Sequence, residues 1–259
     1  MRIVISENAL TLGVAAGVHA ARLINHAIAE HGSARIVLST GASQFDTLSV
    51  LVRQKVDWSK VEMFHLDEYV GLPETHPASF RRYLTERFVS KVPLKAAHFV
   101  DGTAEGIPAL TKELLSAPID VGLIGIGENG HIAFNDPPAD FDTDESYIVV
   151  DLDERCRQQQ VGEGWFKSID KVPAQAISMT PKRIMACRTI ISCVPYAVKA
   201  EAVRKTLLND TTNLVPATLL KQHPAYTLYL DKESASEVTL DDVALANPTL
   251  EAWESYETI

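Results

Sequence analysis

The chain has 259 residues, 46% of them apolar, and a formal net charge of -10 at neutral pH. That length and apolar share can bury one large core, and no linker or abrupt composition shift divides it, so a single domain over residues 1–259 is expected. The acidic balance argues against nucleic acid, no stretch reaches the ~20 apolar residues of a membrane span, and no signal-peptide core follows Met1, which points to the cytoplasm.

Residues 2–5 read as a first strand. Val14, Val18, Ala21, Ile24 and Ile28 then recur at helical steps, and Gly32 follows where a left-handed cap would stop the helix. A strand at 36–38 runs into Ser39-Thr40-Gly41-Ala42-Ser43, with Phe45, Leu48 and Val52 behind it, so these small residues form a strand-turn-helix junction. A strand at 61–66 ends in Asp67-Glu68-Tyr69, and Phe80, Leu84 and Phe88 predict a helix after Pro77. The strand at 121–124 breaks into Gly125-Ile126-Gly127-Glu128-Asn129-Gly130-His131. Residues 137–172 carry charge runs without a period, which predicts an irregular segment, either solvated surface or a mobile flap. Strands at 190–194 and 227–230 flank a helix marked by Tyr196, Ala200, Val203 and Leu207, with Pro195 suited to its first turn. The acidic stretch 244–259 reads as an ordered tail or a short interface. Such alternation implies an α/β fold, Rossmann-like and three-layered, whose mostly parallel sheet is covered by helices on both faces.

In a parallel sheet the carboxyl ends of the strands share one edge, where open α/β sheets bind ligands. The 39–43 junction, Asp67 and His131 can therefore meet in one cavity. His131 offers a donor and an acceptor near physiological pH, and a carboxylate such as Asp136 would orient it; a surface turn histidine is the plainer alternative. Backbone N–H groups and the hydroxyls of Ser39, Thr40 and Ser43 suit a phosphate at a helix amino terminus, although Ser39 or Ser43 could equally be a plain N-cap. Asp67 reads as a base or as a salt-bridged carboxylate, with Glu68, on the opposite side of the extended chain, as the structural member of the pair. Lys199 stands in a first helical turn, where a cation opposes the dipole unless it serves an anion. Cys156, Cys187 and Cys193 fit no zinc spacing and read as reduced thiols. A metal held by His65, Asp67, His131 and Asp136 is disfavoured for want of a close ligand pair.

Two strings carry a resemblance: Leu66-Asp67-Glu68-Tyr69-Val70-Gly71-Leu72-Pro73 and Asn129-Gly130-His131-Ile132-Ala133-Phe134-Asn135, with weaker similarity at Ser39-Thr40-Gly41 and around Lys199. Over most of its length the chain resembles the glucosamine-6-phosphate deaminases, also called isomerases. The related 6-phosphogluconolactonases share the fold and a similar histidine loop but differ after the histidine. The resemblance implies an enzyme acting on a small amino sugar phosphate, with no cofactor or metal and no nucleic-acid or membrane partner, and leaves a homo-oligomer open. It implies Asp67 as the base at C2, His131 as the group that opens the sugar ring, and Asn129 and Asp136 as supports of His131. Ser39, Thr40, Gly41, Ala42, Ser43 and Lys199 would hold the phosphate.

The chain also departs from that pattern. Thr40-Gly41-Ala42-Ser43 stands where the deaminases carry Thr-Gly-Gly-Thr, which requires an alanine-compatible backbone at 42. Asn129 replaces the usual aspartate and Asp136 the usual glutamate; an amide can accept from a ring N–H but brings no charge. The family's flap arginine, a phosphate contact, has no clear equal, and Arg155 or Arg157 are its candidate substitutes. Rival readings are a lactonase or another sugar-phosphate isomerase on the same scaffold, and a sugar-phosphate sensor without turnover, although no basic DNA-binding segment accompanies it.

Overall fold

The computed structural model describes residues 1–256. Its elements in chain order are β1 (Arg2–Ser6), α1 (Ala9–His31), β2 (Ala34–Leu38), α2 (Phe45–Leu51), β3 (Val61–His65), β4 (Asp67–Tyr69), α3 (Phe80–Arg87), β5 (Ala96–His98), α4 (Ile107–Leu115), β6 (Val121–Leu123), β7 (Tyr147–Asp151), α5 (Glu154–Gly162), β8 (Gln175–Met179), α6 (Pro181–Met185), β9 (Thr189–Val194), α7 (Ala200–Leu208), β10 (Tyr226–Asp231), α8 (Leu240–Ala246) and β11 (Ala252–Tyr256). Eight strands form one sheet in the order β11-β1-β10-β9-β6-β2-β3-β5, and every neighbouring pair is parallel. All six strands expected from the sequence lie in it. Alternation along the strands sends Ile3 and Val37 to one face and Val4, Ile36 and Leu38 to the other. Each face thus has its own buried core, with α7 on the first and α1 on the second, which is the expected three-layer arrangement.

Local chemistry fixes the helix that seats the first site loop. Asn8 and Thr11 form a capping box at the start of α1, and Gly32, at φ 78°, ends it. Gly13 lets α2 lie directly on α1, since a Cβ there would stand 2.4 Å from Asp46 Cβ. Strand order then places the crevice. From β2 the chain steps outward through β3 to β5, whereas from β6 it steps the other way through β9 and β10. The loops leaving the adjacent strands β2 and β6 therefore diverge and leave a gap at the carboxyl edge.

A second sheet, ordered β4-β8-β7, is antiparallel throughout and begins one residue after β3. It corrects the reading of residues 137–172 as irregular, because that segment holds β7 and α5. A small third core joins them to the scaffold, with Leu152, Cys156 and Phe166 packed beside Tyr69, Phe80 and Phe134. The helix expected at Pro195 also starts later: Tyr196 has φ 82°, and a 3-10 turn at Ala197–Lys199 precedes α7. The carboxyl-terminal stretch provides an edge strand, β11, parallel to β1, and its last residues, 257–259, lie outside the described part. All three cysteines are buried and free. Among the described residues no helix is long and apolar enough to cross a membrane.

Candidate active site

Four adjacent central strands converge on one crevice. The turn after β2 contributes Ser39, Thr40, Gly41 and Ser43, β3 leads to Asp67, the loop after β6 brings Gly127 and His131, and the turn after β9 brings Lys199. Ala42, Asn129 and Asp136 stand behind this lining rather than in it.

The end of the crevice expected to hold a phosphate offers side chains more than a helix dipole. Gly41 takes φ 99°, and Ala42–Gln44 form a 3-10 turn, so Ala42 sits in backbone that alanine adopts freely. The helix expected behind this turn is only the seven-residue α2, and neither Ser39 nor Ser43 caps it. Tyr83 Oη donates to the Gly41 carbonyl at 2.9 Å and holds the turn in place. Ser39 Oγ is buried without a hydrogen-bond partner. Lys199 is 5% exposed, and its ammonium has no hydrogen-bond or ion-pair partner among the described residues. Burial holds its pKa below the ordinary lysine value, and the charges of Glu163 and Glu128 only partly oppose this. A buried ammonium of this kind suits an anion.

Asp67 and Glu68 are adjacent on β4 and do different work. Glu68 is fully buried and accepts from the backbone N–H groups of Tyr69, Phe80 and Arg81, from Ser79 Oγ and from Arg81 Nε. It ties the start of α3 to the sheet and is the structural carboxylate of the pair. Asp67 makes no side-chain hydrogen bond among the described residues and faces the crevice. Burial, and secondarily the charge of Glu68, pushes its pKa well above the usual carboxylate value. A raised pKa in a cleft suits a carboxylate that must take a proton and return it.

His131 enters the crevice because Gly127 has no side chain: a Cβ there would lie 2.2 Å from Cε1 and Nε2 of the ring. Nδ1 stands 3.0 Å from Asp136 Oδ1, but its N–H direction is not aligned with that oxygen. Contacts of this kind tighten when substrate binds. Burial, the largest influence on Asp136, works to raise its pKa, yet His131, the Asn129 amide and the Asp153 N–H together hold it below the usual range. Asn129 departs from the sequence expectation, for its amide does not touch the ring. Its Oδ1 accepts from the His131 backbone N–H at 3.0 Å, and its Nδ2 donates to both Asp136 Oδ1 and Asp153 Oδ2 at 3.1 Å.

The flap supplies lining residues that sequence reasoning missed: Gln159, Gln160 and Glu163. Gln159 Oε1 accepts from the Glu128 N–H at 3.0 Å and its Nε2 donates to Glu163 Oε1 at 2.7 Å, while Tyr69 Oη donates to Gln160 Oε1 at 2.8 Å. Neither arginine considered for the flap lines the crevice. Arg155 pairs with Glu201 at 3.1 Å, and Arg157 donates to the Ile169 carbonyl at 2.7 Å. His65 is buried outside the lining, so the four-residue metal set is not assembled. A different trio, His131, Asp136 and Cys156, has its ligand atoms within 4.8 Å of one another. Burial and the neighbouring Asp136 and Asp153 raise the Cys156 thiol pKa well above the ordinary value, which disfavours the thiolate a metal needs.

Over residues 7–229 the chain matches the family described as glucosamine-6-phosphate isomerases/6-phosphogluconolactonase. It is 36% identical to a glucosamine-6-phosphate deaminase of Staphylococcus epidermidis over 81% of this chain and 90% of that protein. It is 35% identical to glucosamine-6-phosphate deaminase 2 of Giardia intestinalis, over 85% and 88% of the two chains. Among solved structures, a monomeric glucosamine-6-phosphate deaminase matches with a TM-score of 0.81 and 30% identity, over 92% of this chain and 100% of that one. A 6-phosphogluconolactonase from Trypanosoma brucei shares the fold, with a TM-score of 0.74 and 19% identity over 92% of this chain and 98% of its own.

Proposed function

The chain belongs to the family of glucosamine-6-phosphate isomerases and 6-phosphogluconolactonases, and from that footing we propose that it is a deaminase, converting glucosamine 6-phosphate and water to fructose 6-phosphate and ammonia. The observation that carries this reading is the unpaired Asp67 carboxylate in one crevice with His131 and an unpaired Lys199. Lys199 and the hydroxyls of Ser39, Thr40 and Ser43 hold the phosphate. The site draws on strands from both halves of the chain, so the chain works as one domain.

His131 takes the proton of the anomeric hydroxyl and returns one to the ring oxygen, which breaks the bond from C1 to that oxygen and opens the sugar. Asp67 then removes the C2 proton; the electron pair forms a C1–C2 double bond while the C1 oxygen gains a proton. The same carboxyl returns its proton to C1, leaving an iminium at C2, and its raised pKa suits it to hold the proton between the two carbons. Water adds at C2, the carbon–nitrogen bond breaks, and ammonia leaves with the electron pair. The sequence is proton transfer and hydration throughout, with no net oxidation.

Ammonia release measured across a panel of hexosamine 6-phosphates, with 6-phosphogluconolactone hydrolysis followed in parallel, tests the reading. One ammonia per ketose formed is expected. Lactone hydrolysis without ammonia, or tight binding with no turnover of either substrate, overturns it.

A further inference from the structure

Asp153 does not line the crevice, yet it joins the flap to the pair His131 and Asp136. Its Oδ1 accepts from the Cys156 N–H at 2.5 Å and caps α5, while its Oδ2 accepts from Asn129 Nδ2 at 3.1 Å. Its own backbone N–H donates to Asp136 Oδ2 at 3.1 Å. Asp136 is thereby held on both oxygens: His131 and Asn129 reach Oδ1, and the first residue of the flap helix's cap reaches Oδ2. The Asn129 amide has two N–H groups and directs one to each carboxylate. An aspartate at 129 would bring three carboxylates together and remove both amide N–H groups that now bridge them. The amide at 129 therefore suits a site with a carboxylate at 153, which gives a physical reason for the missing charge at position 129.

We propose that Asp153 is a positioning residue that couples the seating of α5 to the alignment of His131 on Asp136. Gln159, Gln160 and Glu163, which α5 and its end hold over the crevice, meet the sugar, and Asp153 at the other end of the helix passes their position to Asp136. The unaligned contact between His131 Nδ1 and Asp136 then becomes an aligned hydrogen bond when a bound sugar draws Gln159, Gln160 and Glu163 onto it and α5 shifts with them. The effect on turnover rests on the deaminase reading; the effect on the histidine ring does not.

Asp153→Ser separates capping from coupling, since serine still caps a helix but cannot reach Asn129 as a carboxylate does. In this variant kcat for ammonia release should fall about tenfold with KM nearly unchanged, the signature of an interaction that matters beyond ground-state binding. The NMR resonance of the His131 Nδ1 proton should shift or be lost to exchange. A double-mutant cycle sharpens the test: Asn129→Asp should lower kcat, and adding Asp153→Asn should restore part of it by returning the cluster to two carboxylates. An Asp153→Ser protein with an unmoved His131 resonance and unchanged kcat, or multiplicative losses in the cycle, would overturn the proposal. If the wild-type enzyme releases no ammonia, the deaminase reading fails, and the His131 resonance in Asp153→Ser still decides the coupling.

Discussion

The carboxyl edge of the eight-stranded sheet and the flap of residues 137–172 treat polar groups in opposite ways. On the edge, Ser39 Oγ, the Asp67 carboxylate and the Lys199 ammonium are buried and lack partners among the described residues. On the flap, Asp153, Gln159, Gln160 and Glu163 are held by hydrogen bonds to one another and to the neighbouring loops. A buried polar group without a partner costs roughly 1–3 kcal/mol, more when charged. The large sheet, with a core on each face, can carry several such groups; the flap, resting on the small core around Tyr69 and Phe166, cannot. Unsatisfied groups sit where the scaffold is strong, and satisfied ones sit on the segment with the smaller core. Replacing the unpartnered side chains of the edge should therefore remove function while raising stability, and removing the Tyr69–Gln160 hydrogen bond beneath the flap should lower stability with little effect on turnover.

The largest departure is expected from Asp67→Asn. Turnover should fall on the order of 10²–10⁴-fold, the usual contribution of a general acid–base group. The melting temperature should rise. Because the folded-state pKa of Asp67 is raised, its favourable contribution is present in full below the ordinary carboxylate range and is lost as pH rises through the folded value. The stability gap between variant and wild type should widen with pH, and wild-type turnover should climb over the same interval as Asp67 ionises. A melting temperature that falls, or a gap that narrows with pH, would break the comparison.

Gly127→Ala tests how rigid the edge is. The new Cβ meets the His131 ring, so turnover should drop at least about tenfold and stability by about 1–3 kcal/mol, as overpacking does. Wild-type turnover in this variant would mean that the ring can leave its place freely. Lys199→Met should raise KM for the sugar phosphate about tenfold, leave the affinity for unphosphorylated sugar unchanged, and raise the melting temperature. Burial depresses the Lys199 pKa, so this lysine's contribution to stability is lost as pH falls through the folded value; the gain on substitution should be full below the folded value and vanish above the ordinary lysine pKa. The smallest effect on turnover is expected beneath the flap: Tyr69→Phe leaves Gln160 Oε1 without its donor and should cost about 1–3 kcal/mol of stability while kcat stays within about twofold. Chemical denaturation beside steady-state kinetics checks all three.

The same contrast governs what the sequence disclosed. The large sheet is legible because its strands are continuous buried runs, and the residues that end them, Ser39, Asp67, His131 and Lys199, meet in one crevice as parallel topology requires. The flap was illegible because β7 is half exposed and α5 buries Cys156, Gln159 and Gln160 instead of an apolar stripe. Three glutamines in a row were the visible signal, though hydropathy ranks them as surface. Asn129 was misjudged for a related reason. Its second partner, Asp153, lies 24 residues away on an element that periodicity could not show. Local strings point to the groups that line the crevice; the partners that hold them depend on packing that a hydrophobic pattern does not encode.

Proton exchange at C2 tests the central claim most directly. In D2O with glucosamine 6-phosphate, the wild-type enzyme should place deuterium on C1 of the ketose and exchange the C2 proton of recovered substrate, while Asp67→Asn binds the sugar phosphate and does neither. Near-normal exchange and ammonia release by Asp67→Asn would contradict the assignment of Asp67 as the base.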